Sequence, residues 1–241
     1  MATNWKKAVI TDIIDETPTT KRFFLSLEDE TVFDFIPGQF ITLDLPIAEK
    51  PSKRWRHYSI ASNPKGDNTV ELVIVLVEGG LGTNFLFKEA CLGTSFPVRG
   101  PLGKFTLKPN PDNEICFICT GTGIAPFRSM LLDFYENNAE HPPVKLIFGT
   151  RNIENILYYE EMKSLERKMK NFDYYPVLSR ESSTEWDGRK GYVHPVYEEL
   201  FKDKRPADFY LCGWKNMIQE ARNRLQDMGY SRNNIHVEIY G

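Results

Sequence analysis

Residues 54–59 read Arg-Trp-Arg-His-Tyr-Ser, which gathers two guanidiniums, three aromatic side chains and two hydroxyl groups into one short stretch between loop-like segments. A strand alternates its side chains, so Arg56 and Tyr58 would share one face while His57 and Ser59 take the other. That arrangement has the chemistry to hold a phosphate and a flat ring together. It also suits a charged edge strand that resists aggregation while its tyrosine packs on the sheet. Two glycine turns bear on the choice. Thr-Gly-Thr-Gly-Ile-Ala-Pro at 120–126 leaves an apolar run and enters a helical pattern. Such a turn exposes amide N–H groups where orphan donors and the helix dipole favour an anion such as pyrophosphate. It is not the G-x-G-x-x-G fingerprint, because Ala125 and Pro126 follow where that pattern continues to its third glycine; alone it serves structure as readily as binding. Gly-Gly-Leu-Gly-Thr at 79–83 would cradle a second phosphate. Two phosphate sites imply two nucleotides.

The elements that must position these residues fall into two patterns. Up to about residue 108, short runs of Val, Ile, Phe and Thr are broken by Pro, Gly, Asp and Asn about every ten residues, as in an antiparallel sandwich or barrel. Thr83 and the apolar residues after it would start a short helix within this part. Beyond Lys-Pro-Asn-Pro-Asp-Asn-Glu (108–114), strand runs ICFICT, PVKLIFGT, FDYYPVLS and ADFYLCG alternate with helical patterns. Alternation of that kind implies parallel βαβ units. A linker is therefore expected at about 108–113, with an all-β domain over 1–108 and an α/β domain over 113–241.

The 241 residues suffice for two ordinary cores. Lys and Arg (30) nearly balance Asp and Glu (33) along the whole chain, which excludes the basic stripe of a nucleic-acid binder. No apolar run reaches the roughly 18 residues of a membrane helix, and the start lacks the pattern of a secretion signal, so a cytoplasmic location is expected. The four cysteines suit a reducing compartment. Cys116 and Cys119 resemble a C-x-x-C pair, but in a buried strand positions three apart point to opposite faces, so no redox pair or metal site is expected.

Arg56-His57-Tyr58-Ser59, GGLGT, GPLGKF, GTGIAP, VLSRE, YLCGWKNM and HVEIY occur in the order and approximate spacing of the ferredoxin–NADP reductase family, which the chain resembles over nearly its whole length. The resemblance implies a two-domain α+β fold, a Greek-key β-barrel that binds flavin followed by a parallel α/β domain that binds a nicotinamide nucleotide. It implies that Arg56 holds the flavin pyrophosphate, a task suited to a forked, permanently charged guanidinium. His57 belongs to the same motif, Tyr58 would lie along the isoalloxazine, and Ser59 would bond near flavin N5. Val73, Ile74 and Val75 would offer main-chain groups to the pyrimidine edge, and Gly82 and Thr83 would close on the diphosphate. That choice favours FAD over FMN, although an FMN-binding branch uses similar turns. Arg54 and Trp55 lie outside the motif and are expected at the surface.

For the second nucleotide, the resemblance puts Gly121, Thr122 and Gly123 on its pyrophosphate, with Thr122 also near FAD, and Arg151 on its phosphates. Ser179, Arg180 and Arg189 would grip a 2′-phosphate, which favours NADP(H), although Glu181 and Glu185 stand close by. Cys212 would lie beside the nicotinamide, and Glu238 and Tyr240 match a C-terminal Glu-x-Tyr whose ring covers the flavin and must move; Gly241 follows it. The implied activity is a flavin oxidoreductase that moves electrons between NADPH and a ferredoxin- or flavodoxin-like carrier, with Ser59, Cys212, Glu238 and Tyr240 around the transfer. An NADH-dependent reductase component of a multicomponent oxygenase is the nearest alternative. A non-enzymatic flavin- or nucleotide-binding regulatory module is another.

Overall fold

The computed structural model describes residues 5–28, 30–109 and 112–240. Its contacts group into two compact units, one formed by the chain up to Leu107 together with Ala125–Asp133, the other by Lys108–Ile124 and the chain from Phe134 onward. The linker expected at 108–113 contains residues 110 and 111, which lie outside the described residues.

The first unit carries β1 (Lys6–Thr17), β2 (Thr20–Leu27), β3 (Phe40–Asp44), α1 (Pro51–Arg54), β4 (Trp55–Ser59), β5 (Thr69–Val75), α2 (Leu81–Lys88) and β6 (Ser95–Leu102). All the strand pairs are antiparallel, in the order β4-β3-β6-β1-β2-β5. Alternation explains the core: Phe23, Leu25 and Leu27 of β2, Ile41 and Leu43 of β3, and Val70 and Leu72 of β5 are buried in one cluster. Helix α1 begins at Pro51, whose missing N–H costs nothing in a first turn, so the proline-rich stretch is a short helix rather than the loop it resembles. Helix α2 begins at Leu81 instead of Thr83, because Gly80 is the N-cap and Asn84 N–H already bonds Gly80 O at 2.9 Å.

Charge is buried in this unit. The Glu71 carboxylate, only 5% exposed, accepts from Arg22 Nε at 2.6 Å and from Arg128 Nη1 at 2.9 Å. Arg128 also donates to Ala61 O at 2.8 Å, and Ser129 Oγ donates to Ser62 O at 2.6 Å. Both residues belong to α3 (Ala125–Glu136), whose first turns thereby fix the segment that follows Ser59.

The second unit carries β7 (Glu114–Thr120), β8 (Val144–Thr150), α4 (Tyr159–Lys168), β9 (Phe172–Leu178), β10 (Arg189–Lys190), α5 (His194–Leu200), β11 (Ala207–Trp214), α6 (Lys215–Asp227) and β12 (Ile235–Tyr240). The sheet is parallel throughout, in the order β10-β9-β8-β7-β11-β12. Parallel strands covered on both faces read as continuous apolar runs, as ICFICT does, with Cys116 and Cys119 fully buried. Cys116 belongs to the core cluster on one side of the sheet, and no disulfide joins the two. The strand order reverses between β7 and β11, and in open α/β sheets ligands bind beyond the carboxyl ends of the strands at such a point. Among the described residues no helix is long and apolar enough to cross a membrane.

Removing one partner of a buried ion pair strands the other, so Glu71→Ala should destabilise the protein by about 3–5 kcal/mol. Equilibrium urea unfolding checks this; a loss below about 1 kcal/mol, the range of exposed pairs, would show that the network contributes little.

Candidate functional site

Strand β4 alternates as expected. Tyr58 packs against the barrel core, where burial pushes its phenol pKa up to about 12. Arg56, on the same face, reaches the start of α2: a Cβ built on Gly82 would stand 2.9 Å from Arg56 Nε and 3.0 Å from its Cγ. Glycine at that position is what lets the guanidinium lie there. Arg56 Nη1 is held by the carbonyls of Lys53 at 3.0 Å and Trp55 at 2.8 Å. The N–H groups of Gly82 and Thr83 precede the first intrahelical bond and have no acceptor within the helix. A fixed cation beside free helix-start amides makes an anion cradle. The Thr83 hydroxyl is used to close the turn, on Gly80 O at 3.2 Å and Val77 O at 3.3 Å.

On the other face of β4, Ser59 is 5% exposed and its buried Oγ has no hydrogen-bond partner. Leaving a buried hydroxyl unsatisfied costs about 1–3 kcal/mol, so a bound group with a polar edge fits here. His57 is exposed and bonds Thr42 Oγ1 through Nδ1 at 2.8 Å; it is not brought together with Arg56 and Tyr58. Strand β5 ends the sheet, so one backbone edge of Val73–Val75 pairs with no strand among the described residues. Arg54, expected at the surface, makes a bidentate bond to Asp44, with both contacts 2.7 Å, and Trp55 is half-buried.

In the second unit the turn Gly121–Ile124 lies directly on β11. A Cβ on Gly123 would meet Cys212 O at 2.5 Å, and Gly121 has φ +54, so both positions require glycine. Gly121 and Thr122 are half-buried at the rim of this turn. At the end of β9, Ser179 N–H bonds Thr150 O and Arg180 N–H bonds Arg151 O, each at 2.9 Å, which brings Arg151, Ser179 and Arg180 together. Arg151 and Arg180 are exposed and form no ion pair among the described residues. Arg189 is different: Glu199 holds its guanidinium at 2.7 and 3.1 Å. Glu181 is also engaged, accepting from the N–H groups of Ile153 at 2.8 Å and Ser183 at 2.7 Å, which draw its pKa below the usual carboxylate value.

Cys119, Cys212 and Glu238 form a row across β7, β11 and β12. Cys212 is fully buried, and burial, then the Glu238 charge, hold its thiol protonated. Tyr240 is half-buried at the end of β12; Gly241 lies outside the described residues. Glu238 Oε2 is buried with no hydrogen-bond partner, and burial lifts the carboxyl to about 7. Sequence reasoning found Glu238 by motif but had no signal for its titration, which follows from the strand it occupies.

The chain matches the family model for an oxidoreductase FAD-binding domain over residues 7–107 and that for an oxidoreductase NAD-binding domain over 117–223. These matches define a flavin- and nicotinamide-binding oxidoreductase. The chain belongs to the ferredoxin–NADP reductase family: it is 33% identical over 232 residues to ferredoxin–NADP reductase B of Sorangium cellulosum, with 93% of each chain covered. It is 29% identical to the anthranilate 1,2-dioxygenase electron transfer component of Acinetobacter baylyi, over 86% of this chain but only 58% of that one, so it spans less than two thirds of that relative's length. Among solved structures, the cytochrome P450 reductase GcoB of Amycolatopsis superposes with a TM-score of 0.87 at 26% identity, covering 98% of this chain and 69% of the other.

A carboxyl raised from 4.5 to about 7 binds a proton in the folded protein that the unfolded chain has released, so stability is lost as pH rises through that window and is level above it. Glu238→Gln removes the effect. In thermal melts the variant should gain on wild type from pH ~4.5 to ~7 and then hold a constant lead. A difference independent of pH would contradict the assignment.

Proposed function

We propose that the chain takes hydride from NADPH and delivers electrons singly to a separate ferredoxin- or flavodoxin-like carrier, with FAD held by the part over 1–108 and the nicotinamide nucleotide by the part over 113–241. The observation that carries this reading is the pair of glycine cradles, Arg56 over Gly82 and the Gly121–Gly123 turn on Cys212, present in one chain. When bound, the flavin supplies the chemistry that turns a two-electron donor into single electrons.

The chain's own residues supply binding, orientation and proton placement. Arg56 and the amides of Gly82 and Thr83 neutralise the FAD diphosphate, Tyr58 gives the ring a face, and the Ser59 hydroxyl and the Val73–Val75 backbone hold its edge. The Gly121, Thr122 and Gly123 amides receive the nicotinamide nucleotide's pyrophosphate. Cys212 lies beside the nicotinamide as a neutral thiol, Tyr240 is the ring that the motif sets over the flavin, and Glu238 can hold or release a proton at Oε2 near neutral pH. His57 acts on the strand through Thr42, and Arg189, engaged by Glu199, orders the loop that carries Arg180.

The choice of NADPH rests on Arg151 and Arg180, two guanidiniums with no ion pair among the described residues that suit a 2′-phosphate, with Ser179, whose hydroxyl donates to Thr150 O at 3.2 Å, beside them; Glu181 already accepts two backbone N–H groups, which makes it a poorer partner for a ribose hydroxyl. A second reading is an NADH-dependent reductase component of an oxygenase, favoured by the similarity to an electron transfer component longer than this chain. A non-enzymatic flavin- or nucleotide-binding regulatory module would still use the Ser59 hydroxyl, but it leaves the Glu238 carboxyl, with Oε2 unpartnered, without a purpose, although fold alone does not decide function.

Steady-state kinetics with both coenzymes test the choice. Arg180→Ala should raise KM for NADPH about tenfold or more, the worth of a charge-assisted hydrogen bond, and leave KM for NADH nearly unchanged. Parallel losses with both coenzymes, or a wild type that prefers NADH, would overturn it.

A further inference from the structure

Outside the flavin cradle, the first unit contains a cation, Arg99, with no ion-pair partner among the described residues. Arg99 of β6 pairs in register with Thr42 of β3, and Thr42 pairs with His57 of β4, so the three side chains form a row across three strands on one face of the sheet. Trp55, two residues before His57, shares this face. The Arg99 guanidinium carbon lies 5.2 Å from the Trp55 ring centroid and 5.3 Å from that of Trp5, and the two indoles are 5.7 Å apart. Stacking on two rings fixes the direction of the guanidinium.

Two donors at this place are buried and unsatisfied, Arg99 Nε and Trp55 Nε1. No carboxylate makes an ion pair with Arg99 among the described residues; the nearby Asp44 is taken by Arg54. A buried guanidinium N–H and a buried indole N–H left open are each costly unless an acceptor arrives. The imidazole beside them has Nδ1 engaged by Thr42, which leaves Nε2 as its remaining polar atom. The positive charges of Arg99 and Arg56, after burial, hold the His57 pKa below its usual value, which marks the local potential as positive.

We infer that Arg99 Nε and Trp55 Nε1 form an oxyanion site, with His57 at its margin, that takes the phosphate group of inorganic phosphate or of a phosphate monoester. The two donors sit on separate side chains, a guanidinium and an indole, and a tetrahedral oxyanion has oxygens in more than one plane with which to meet both. The site is distinct from the Arg56–Gly82 cradle, because Arg56 and Arg99 belong to adjacent register rows and Arg56 points with Tyr58 to the other face.

The test uses the flavin-loaded protein, in which the diphosphate cradle is filled. Inorganic phosphate is titrated at constant ionic strength while the indole N–H and Arg Nε–H resonances are followed by NMR, with calorimetry for affinity. Saturable shifts of the Trp55 and Arg99 signals are expected, with acetate producing much smaller ones. Trp55→Phe keeps a ring and removes the indole donor, and should weaken binding about tenfold. Arg99→Met should abolish it, and Arg99→Lys, which keeps the charge but loses the guanidinium donor, should weaken it even if the Met variant does not fold. Phenyl phosphate run beside inorganic phosphate distinguishes an ester from the free ion by which binds tighter. Unshifted Trp55 and Arg99 resonances, an equal response to acetate, or undiminished binding in the Arg99 variants would overturn the inference.

Discussion

The guanidinium of Arg56 crosses the first turn of α2 so closely that a Cβ on Gly82, 2.9 Å from Nε, would force it to shift. That contact joins two parts of the first unit that are far apart in sequence, and it sets a permanent cation beside amides that have no helical acceptor. The rest of the flavin half follows from it. With Arg56 turned to α2, alternation sends Tyr58 to the same face and leaves Ser59 buried on the other with a free hydroxyl. The second unit obeys the same constraint: Gly123 lies so close to the Cys212 carbonyl that any Cβ would push the turn off β11. In both places backbone takes the position that a side chain would deny to a phosphate.

Charge is managed differently in the two halves. The first unit buries Glu71, yet surrounds it with Arg22 and Arg128, so its charge is kept. In the second unit Glu238 is half-buried, its Oε2 is shut off from solvent with no ion pair among the described residues, and its carboxyl is driven to about 7. Full pairing suits a group that holds a fold together. A lone carboxyl at the edge of its range suits one that exchanges a proton near neutral pH.

Much of this was legible in the sequence. Lys6–Thr17 was readable from its Val, Ile and Thr content although two register shifts break its alternation, and the buried parallel strands because they are continuous apolar runs. The motif residues from Arg56 to Tyr240 could be named in advance because the chain resembles a family, not because spacing alone demanded them. What escaped depends on partners distant in sequence. Arg128 reads as one residue of an amphipathic helix, and only the fold puts Glu71 opposite it. Arg189 reads as a free cation until α5 brings Glu199 to it. Trp55 reads as surface, because its neighbours Trp5 and Arg99 come from β-pairings that no local pattern announces. The end strand Ile235–Tyr240 alternates, but Val237 and Ile239 are on its exposed side, so its apolar residues do not mark the face that carries Glu238 and Tyr240.

The central claim is that a single guanidinium, admitted by the absence of a side chain at Gly82, anchors the FAD diphosphate. It is tested most directly by the FAD dissociation constant of Arg56→Ala measured against wild type, with circular dichroism to show that the sheet is intact. Loss of a charge-assisted hydrogen bond is worth about 1.5–3 kcal/mol, so binding should weaken about tenfold to a hundredfold. An unchanged dissociation constant in a folded variant would contradict the claim.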